Sequence, residues 1–351
     1  MHKTSNNKLL GEVVDIRLML VVLLVLYHAF APFSGSWKPI DGIEEIKAYW
    51  WFDKLSYALL LESFVFISGY VFGYQVRRKG EEMLKCENLI WKKFKRLMIP
   101  SIFFSILYIV LFKDITQPIT TTIYGVINGV WHMWFLPMLF WCFIFTGFIE
   151  RTRISSIVLI PVLLLLAVIV PETLPLRMGK SFYYLPFFYV GYLLQRKNLV
   201  EQINNKTTPR LVLALLFIAT FPTLTLLCEN IGIIWSGGGK FYNFIIENSV
   251  EHICKLIYSS IGLSLLFLTI RKKEKERDGN INPLTVEMGN LCMGVYLLQQ
   301  FILIFLYYYT MLPDVVGSYV LPWVGFIITL ILSTILTFIM RKTNVERLIL
   351  G

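Results

Sequence analysis

Two ionisable residues, Arg17 and His28, interrupt the first long apolar segment of the chain, with only apolar residues and Tyr27 between them. In an α-helix their spacing of eleven residues is three turns plus roughly 20°, so both side chains project from one face, about 16 Å apart along the axis. An imidazole can take a proton from a hydroxyl group and return it to a leaving group. A guanidinium group suits a phosphate or carboxylate. The pair predicts an anion-binding group and a general base on one helical stripe.

A structural role is the alternative for each residue alone. Arg17 would be an interfacial anchor whose aliphatic stem lies along the apolar surface, and His28 a hydrogen-bonded core residue. Ionisable side chains inside apolar helices more often mark function, and the alignment of the two favours that interpretation.

A basic cluster, Lys92-Lys93-Phe94-Lys95-Arg96, precedes the third apolar segment and is followed by Pro100. Four cations at the inner end of a membrane span usually signal topology or contact lipid headgroups. The functional alternative is an anionic cytosolic ligand that carries phosphates, with Lys93 and Arg96 among its binding residues.

Other polar candidates lie inside or beside apolar segments. Glu62 is expected near the depth of His28, where its carboxylate would hold the imidazole in one tautomer; a snorkelling interfacial role is the alternative. His132 and Trp134 belong to a Trp-His-Met-Trp element that fits either a site or an aromatic membrane belt. Gln299 and Gln300 are expected to hydrogen-bond between helices.

Such residues must be positioned by helices that cross a membrane. The chain has 351 residues, of which 56% are hydrophobic and only 16% charged. Its apolar residues come in long blocks, which are typical of membrane-spanning helices and not of a soluble core. We expect an all-α integral membrane protein with about ten spans, near residues 11–31, 55–75, 97–113, 129–149, 154–170, 182–195, 211–228, 250–270, 288–309 and 318–340.

The distribution of charge predicts the orientation of these spans. With the N-terminus inside, the inner segments carry 24 of the 33 Lys and Arg residues. This bias predicts that both termini are cytoplasmic, in a cell membrane, and it explains the net charge of +10 without nucleic acid. We expect one membrane domain over residues 1–351, with short tails at 1–9 and 341–351, no cleavable signal peptide and a flexible outer loop at Ser236-Gly237-Gly238-Gly239.

Six short motifs follow one another from about residue 10 to 340: Glu12–Arg17 with Tyr27-His28-Ala29, the aromatic stretch Phe64–Tyr70 that contains Ser68-Gly69, the basic entry Lys92–Pro100, Trp134–Pro137, Phe187–Gly191 and Met288–Tyr296. Together and in this order they resemble a known family, the acyltransferase-3 membrane proteins. Where many members have paired arginines before the third helix, this chain has Lys93 and Arg96. Where many have Ser and then His around the late Tyr, it has Cys292 and Gln299.

The resemblance implies an O-acyltransferase, with a cytoplasmic acyl-CoA, most often acetyl-CoA, as donor and a hydroxyl group of a glycan or another extracytoplasmic molecule as acceptor. Arg17, Lys93 and Arg96 would bind the phosphates of coenzyme A, and His28 would act as the base, assisted by Glu62. Trp134, His132 and Tyr296 are the candidates for substrate contacts.

The five cysteines form no CxxC pair, so we expect no metal site. A transporter or exporter of glycans or lipid-linked intermediates is the alternative from another class. It also has about ten spans, but the chain shows no inverted repeat and no pair of Gly/Pro-broken helices.

Overall fold

The computed structural model describes residues 11–44, 46–112, 119–152, 154–202, 207–235, 240–277 and 281–343, and in these ranges the regular structure is entirely helical. The α-helices are α1 Gly11–Phe30, α2 Lys47–Lys79, α3 Cys86–Lys93, α4 Ile99–Phe112, α5 Ile119–Asn128, α6 Phe135–Thr152, α7 Ser156–Ile169, α8 Met178–Arg196, α9 Thr207–Ile234, α10 Lys240–Glu276, α11 Pro283–Tyr308, α12 Leu312–Val315 and α13 Leu321–Lys342.

Each of the ten predicted spans falls on a helix, and eight helical segments of the described chain are long and apolar enough to cross a membrane. The remaining two predicted spans fall on α7 and α8. α7 has 14 residues and is about 21 Å long, and α8 carries several tyrosines and lies among other helices. The all-α membrane class is therefore confirmed. The count of ten and the cytoplasmic location of both termini stay predictions.

Several helices extend beyond their predicted bounds. α2 begins at Lys47 and not near residue 55. α9 continues to Ile234, α10 already begins at Lys240, and the two helices pack together. Hydropathy marks only the part of a helix that is apolar, whereas these helices continue into polar surroundings. The tails 1–9 and 344–351 and the loop Ser236–Gly239 lie outside the described residues.

The basic cluster lies within a helix and not in a loop before it, which corrects the start predicted for the third span. α3 runs through the π-helical turn Phe94–Met98 into α4, so that one helical segment extends from 87 to 112. Pro100 cannot donate the backbone hydrogen bond of a regular helix, and a π-helical turn accommodates such a defect. Within this segment Lys93 is buried and Arg96 is exposed.

The helix that carries Arg17 and His28 occupies the centre of the bundle. α1 packs against α2, α10, α11 and α13, and its buried residues join the main hydrophobic core. α2 in turn packs most extensively against α8. The position of α1 places Arg17 and His28 between helices.

Glycines permit the close approach of α2 and α8. A Cβ atom added at Gly69 would lie 2.0 Å from the carbonyl oxygen of Phe188, and one at Gly191 would lie 2.2 Å from that of Phe66. Because the obstacle is backbone and not a flexible side chain, no rotamer change relieves it. The Ser-Gly element of the sequence therefore serves close helix packing, and Gly69 is the residue that provides it.

We expect Gly69→Ala to lower the thermal unfolding midpoint of the detergent-solubilised protein, because the added methyl group must separate α2 from α8 at a cost of about 1–3 kcal/mol. Gly317→Ala is the matched control, since a Cβ atom there meets nothing within 4 Å. Equal midpoints for the two variants would contradict the packing argument.

Candidate functional site

A cavity of about 260 Å³ lies between α1, α2, the α3–α4 segment, α6 and α11. Arg17, Lys93 and Arg96 line it, as do the polar side chains of Gln75 and Asn290. Two helical segments, α1 and the α3–α4 segment, thus bring together cations that are far apart in sequence.

These three cations have no ion-pair partner among the described residues. The ammonium group of Lys93 instead lies 3.5 Å from the ring centroid of Phe143 and 5.2 Å from that of Phe72. The electron-rich ring faces partly compensate the charge. Positive charge without counter-charge in one cavity attracts an anionic ligand.

The rest of the cavity is largely apolar, and aromatic rings lie together in its wall. The ring of Phe135 is 6.2 Å from that of Phe64 and 6.1 Å from that of Tyr296. All three line the cavity, as does Leu24. His28 follows Leu24 by one turn of α1, a rise of about 6 Å. The imidazole therefore lies just beyond the cavity, on the far side from Arg17.

The hydrogen bond of His28 defines its tautomer. Its Nδ1 lies 3.0 Å from Oε1 of Gln299 on α11. An amide oxygen only accepts, so Nδ1 carries the proton and donates, and the lone pair is on Nε2. The ring is 6% exposed and stacks on Trp37 at 5.7 Å. His28 is thereby presented with Nε2 as the basic atom.

A second histidine lies beside the first. The rings of His28 and His132 are 6.0 Å apart. Nε2 of His132 donates to the carbonyl oxygen of Tyr296 at 3.0 Å, and the hydroxyl of Tyr296 donates to the carbonyl oxygen of His132 at 2.7 Å. This reciprocal pair fixes the segment before α6 on α11, and it leaves Nδ1 of His132 without a partner among the described residues.

Glu62 does not contact the imidazole as the sequence led us to expect. Its Oε1 accepts a hydrogen bond from the hydroxyl of Tyr183 on α8 at 3.0 Å, whereas Nδ1 of His28 donates to Gln299. Glu62 therefore bonds to α8, whereas His28 bonds to α11. Gln299, and not Glu62, is the residue that orients His28.

The remaining predicted residues are divided between the cavity and its surroundings. Tyr296 lines the cavity together with the three cations. Trp134 lies elsewhere, with its ring 4.6 Å from the ammonium group of Lys180 and 6.1 Å from the ring of Tyr184. Within the described ranges no group of three or more His, Cys, Asp or Glu residues is arranged to hold a metal ion.

The prediction that Gln299 hydrogen-bonds between helices is confirmed, since it joins α11 to α1, but the sequence did not identify His28 as its partner. A buried amide in an apolar span is also a signal for a polar site. Trp37 lies outside every predicted span, and nothing in the sequence indicates that the chain folds back to stack it on His28.

The comparison with models of protein families gives one finding: residues 14–342 match the acyltransferase-3 model, which is described as an acyltransferase domain. No curated protein and no solved structure matches the chain.

Tyr296→Phe should lower the free energy of unfolding by about 1–3 kcal/mol, because the carbonyl oxygen of His132 loses its donor in a buried position. Denaturation in detergent, followed by tryptophan fluorescence, measures this loss. Tyr309→Phe is the control, since Tyr309 is 56% exposed and should tolerate loss of the hydroxyl. A stability of Tyr296→Phe equal to that of the control would refute the reciprocal pairing.

Proposed function

Because this chain belongs to the acyltransferase-3 family and is a multi-pass membrane acyltransferase, we propose that it transfers an acyl group, most simply acetyl, from cytoplasmic acyl-CoA to a hydroxyl group of a cell-surface polysaccharide or another extracytoplasmic glycan. The protein would act in the plasma membrane. The observation that carries the proposal is the cavity that begins at three cations without counter-ions and ends one helical turn from His28.

The two parts of the cavity suit the two parts of an acyl-CoA. The phosphates of coenzyme A match Arg17, Lys93 and Arg96 in charge, and Arg forms forked hydrogen bonds to phosphate. The pantetheine arm has amide groups, for which Gln75 and Asn290 offer donors and acceptors. The apolar remainder then accommodates the arm as it extends towards His28.

His28 is suited to act as the general base. Its Nε2 lone pair accepts the proton of the acceptor hydroxyl while the hydroxyl oxygen attacks the thioester carbon. The same proton then passes to the departing sulfur. Buried surroundings exclude water, which would otherwise compete as acceptor.

Direct transfer is favoured over a covalent acyl-enzyme. Ser68 and Cys292 line the cavity, but Oγ of Ser68 donates to the carbonyl oxygen of Phe64 and Sγ of Cys292 donates to that of Met288. Both bonds join a side chain to its own helix, four residues earlier, and neither side chain has a base beside it as an activated nucleophile requires.

A sugar acceptor suits the aromatic groups beside His28. Trp37 stacks on the imidazole, and its ring is 5.8 Å from the ring of Trp131, which is 39% exposed. His132 follows Trp131 directly. Aromatic rings beside an imidazole can pack against the apolar face of a sugar and leave its hydroxyl groups free to reach Nε2.

His28→Ala should abolish acyl transfer. The test is mass spectrometry of surface glycans from cells that lack the gene, complemented with wild type, His28→Ala or His252→Ala at equal membrane abundance. We expect wild type and His252→Ala to restore an acyl mass increment, and His28→Ala not to restore it while glycan export continues. His252 is the matched control, since it is also buried but pairs with Glu172 at 3.5 Å.

Two other outcomes have a definite meaning. Full restoration by His28→Ala would refute His28 as the base. Loss of the glycan itself from the surface, in the null strain and in the His28→Ala strain, would favour the transporter.

Lys93→Leu should raise the KM for acetyl-CoA about tenfold or more, because one phosphate contact is worth at least about 1.4 kcal/mol. Lys92→Leu is the matched control, since Lys92 is exposed and is absent from the cavity lining. Initial rates of the purified proteins would be measured with acetyl-CoA and with S-acetylpantetheine, which lacks the phosphates. We expect the KM values of the two variants to differ for acetyl-CoA and to agree for S-acetylpantetheine. An equal difference with both donors would contradict a phosphate-binding role.

A further inference from the structure

The two polar atoms of the Gln299 amide have different surroundings. Oε1 accepts the hydrogen bond from Nδ1 of His28, whereas Nε2 is buried and has no partner among the described residues. The side chain is 0% exposed. A buried donor without an acceptor is destabilising, so an amide kept in this state indicates an acceptor that is present only during function.

The proposed reaction creates such an acceptor. When a hydroxyl oxygen attacks a thioester, the carbonyl oxygen becomes negatively charged in the tetrahedral intermediate. Enzymes of acyl transfer place N–H donors where this charge develops. Among the described residues, Nε2 of Gln299 is a fully buried side-chain N–H donor without a partner, and it belongs to the amide that bonds to His28.

We infer that Gln299 is a catalytic residue with two roles: Oε1 holds His28 in the tautomer that has a basic Nε2, and Nε2 of Gln299 donates a hydrogen bond to the oxyanion of the tetrahedral intermediate. This inference rests on the proposed acyl transfer.

The step balances without another reactant. The acceptor oxygen forms a bond to the thioester carbon, its proton moves to Nε2 of His28, and the electron pair of the carbonyl π bond moves to oxygen, where Gln299 donates to it. When the carbonyl re-forms, the C–S bond breaks and its electron pair leaves with sulfur. The proton on His28 then moves to that sulfur, so an ester and a free thiol are produced.

An amide is suited to both roles because it has an acceptor and a donor at one end of the side chain. Glutamate in this position would accept from His28 but would repel the oxyanion. Methionine would fill the space and do neither. These two substitutions therefore separate the roles.

The experiment uses the full-length protein in nanodiscs, with the polysaccharide fraction of cells lacking the gene as acceptor and release of free thiol as readout. Two donors are compared, acetyl-CoA and difluoroacetyl-CoA. Fluorine withdraws electrons from the carbonyl carbon, so its oxyanion depends less on a protein donor. Gln299→Met and Gln299→Glu should each lower kcat with acetyl-CoA by about 100-fold, as loss of an oxyanion donor does.

The ratio of rates with the two donors is the diagnostic quantity. The deficit is the factor by which a variant's kcat falls below that of wild type. In both Gln299 variants this factor should be about tenfold or more smaller with difluoroacetyl-CoA than with acetyl-CoA. Gln195→Met is the matched control, since Gln195 is 3% exposed but lies on α8, away from His28; its two deficits should be equal. A structural defect lowers the rates with both donors by the same factor, so the ratio is independent of the fraction of protein that is folded.

Three results would overturn the inference. The first is wild-type kcat in Gln299→Met. The second is a Gln299→Glu kcat within threefold of wild type, which would show that Nε2 donates nothing. The third is an equal deficit with the two donors. Failure of the proposed function is distinguishable, because the wild-type protein would then release no acceptor-dependent thiol, whereas here wild type is active and His28→Ala is not.

Discussion

The architecture depends on keeping positive charge without counter-charge between apolar helices. Lys93 is 9% exposed and has no carboxylate partner among the described residues, and Arg17 and Arg96 line the same cavity. Removing an ammonium group from water costs several kcal/mol, and the contacts with Phe143 and Phe72 compensate only part of this. Other contacts must therefore stabilise the bundle. The most extensive contact between two helices is that of α2 with α8, which Gly69 and Gly191 permit.

Away from the cations, polar groups are held by neutral hydrogen bonds. His28 donates to Gln299, and His132 and Tyr296 bond reciprocally. Because these partners carry no negative charge, they do not offset the cost of burying a charged imidazole, and the acceptor that each ring faces determines which nitrogen holds the proton. A carboxylate beside His28 would instead favour the protonated ring, which has no lone pair to offer a hydroxyl group. The bonding of Glu62 to Tyr183, and not to His28, is thus consistent with His28 as a base.

The sequence predicted the helices well and the contacts between them poorly. Long apolar blocks place ten helices because lipid cannot satisfy backbone hydrogen bonds, and the spacing of Arg17 and His28 places both on one stripe of α1. Hydropathy does not reveal which side of α2 faces α1, so Glu62 was assigned to His28 although it bonds to Tyr183. Trp37 shows the same limit, since its position depends on a loop whose path has no periodic signal.

Under the proposed function, the arrangement of α1 explains how one helix would serve substrates from two sides of a membrane. Arg17 and His28 are about 16 Å apart on a rigid element, so the distance between the proposed anion site and the proposed base is set by three helical turns and not by a flexible loop. α11 repeats the pattern, because Cys292 and Tyr296 line the cavity and Gln299 lies one turn further along. Two packed helices therefore define the depth of the site together. If the orientation predicted from charge holds, a donor enters at the cytoplasmic end, and the basic nitrogen lies where an acceptor from the opposite side can meet it.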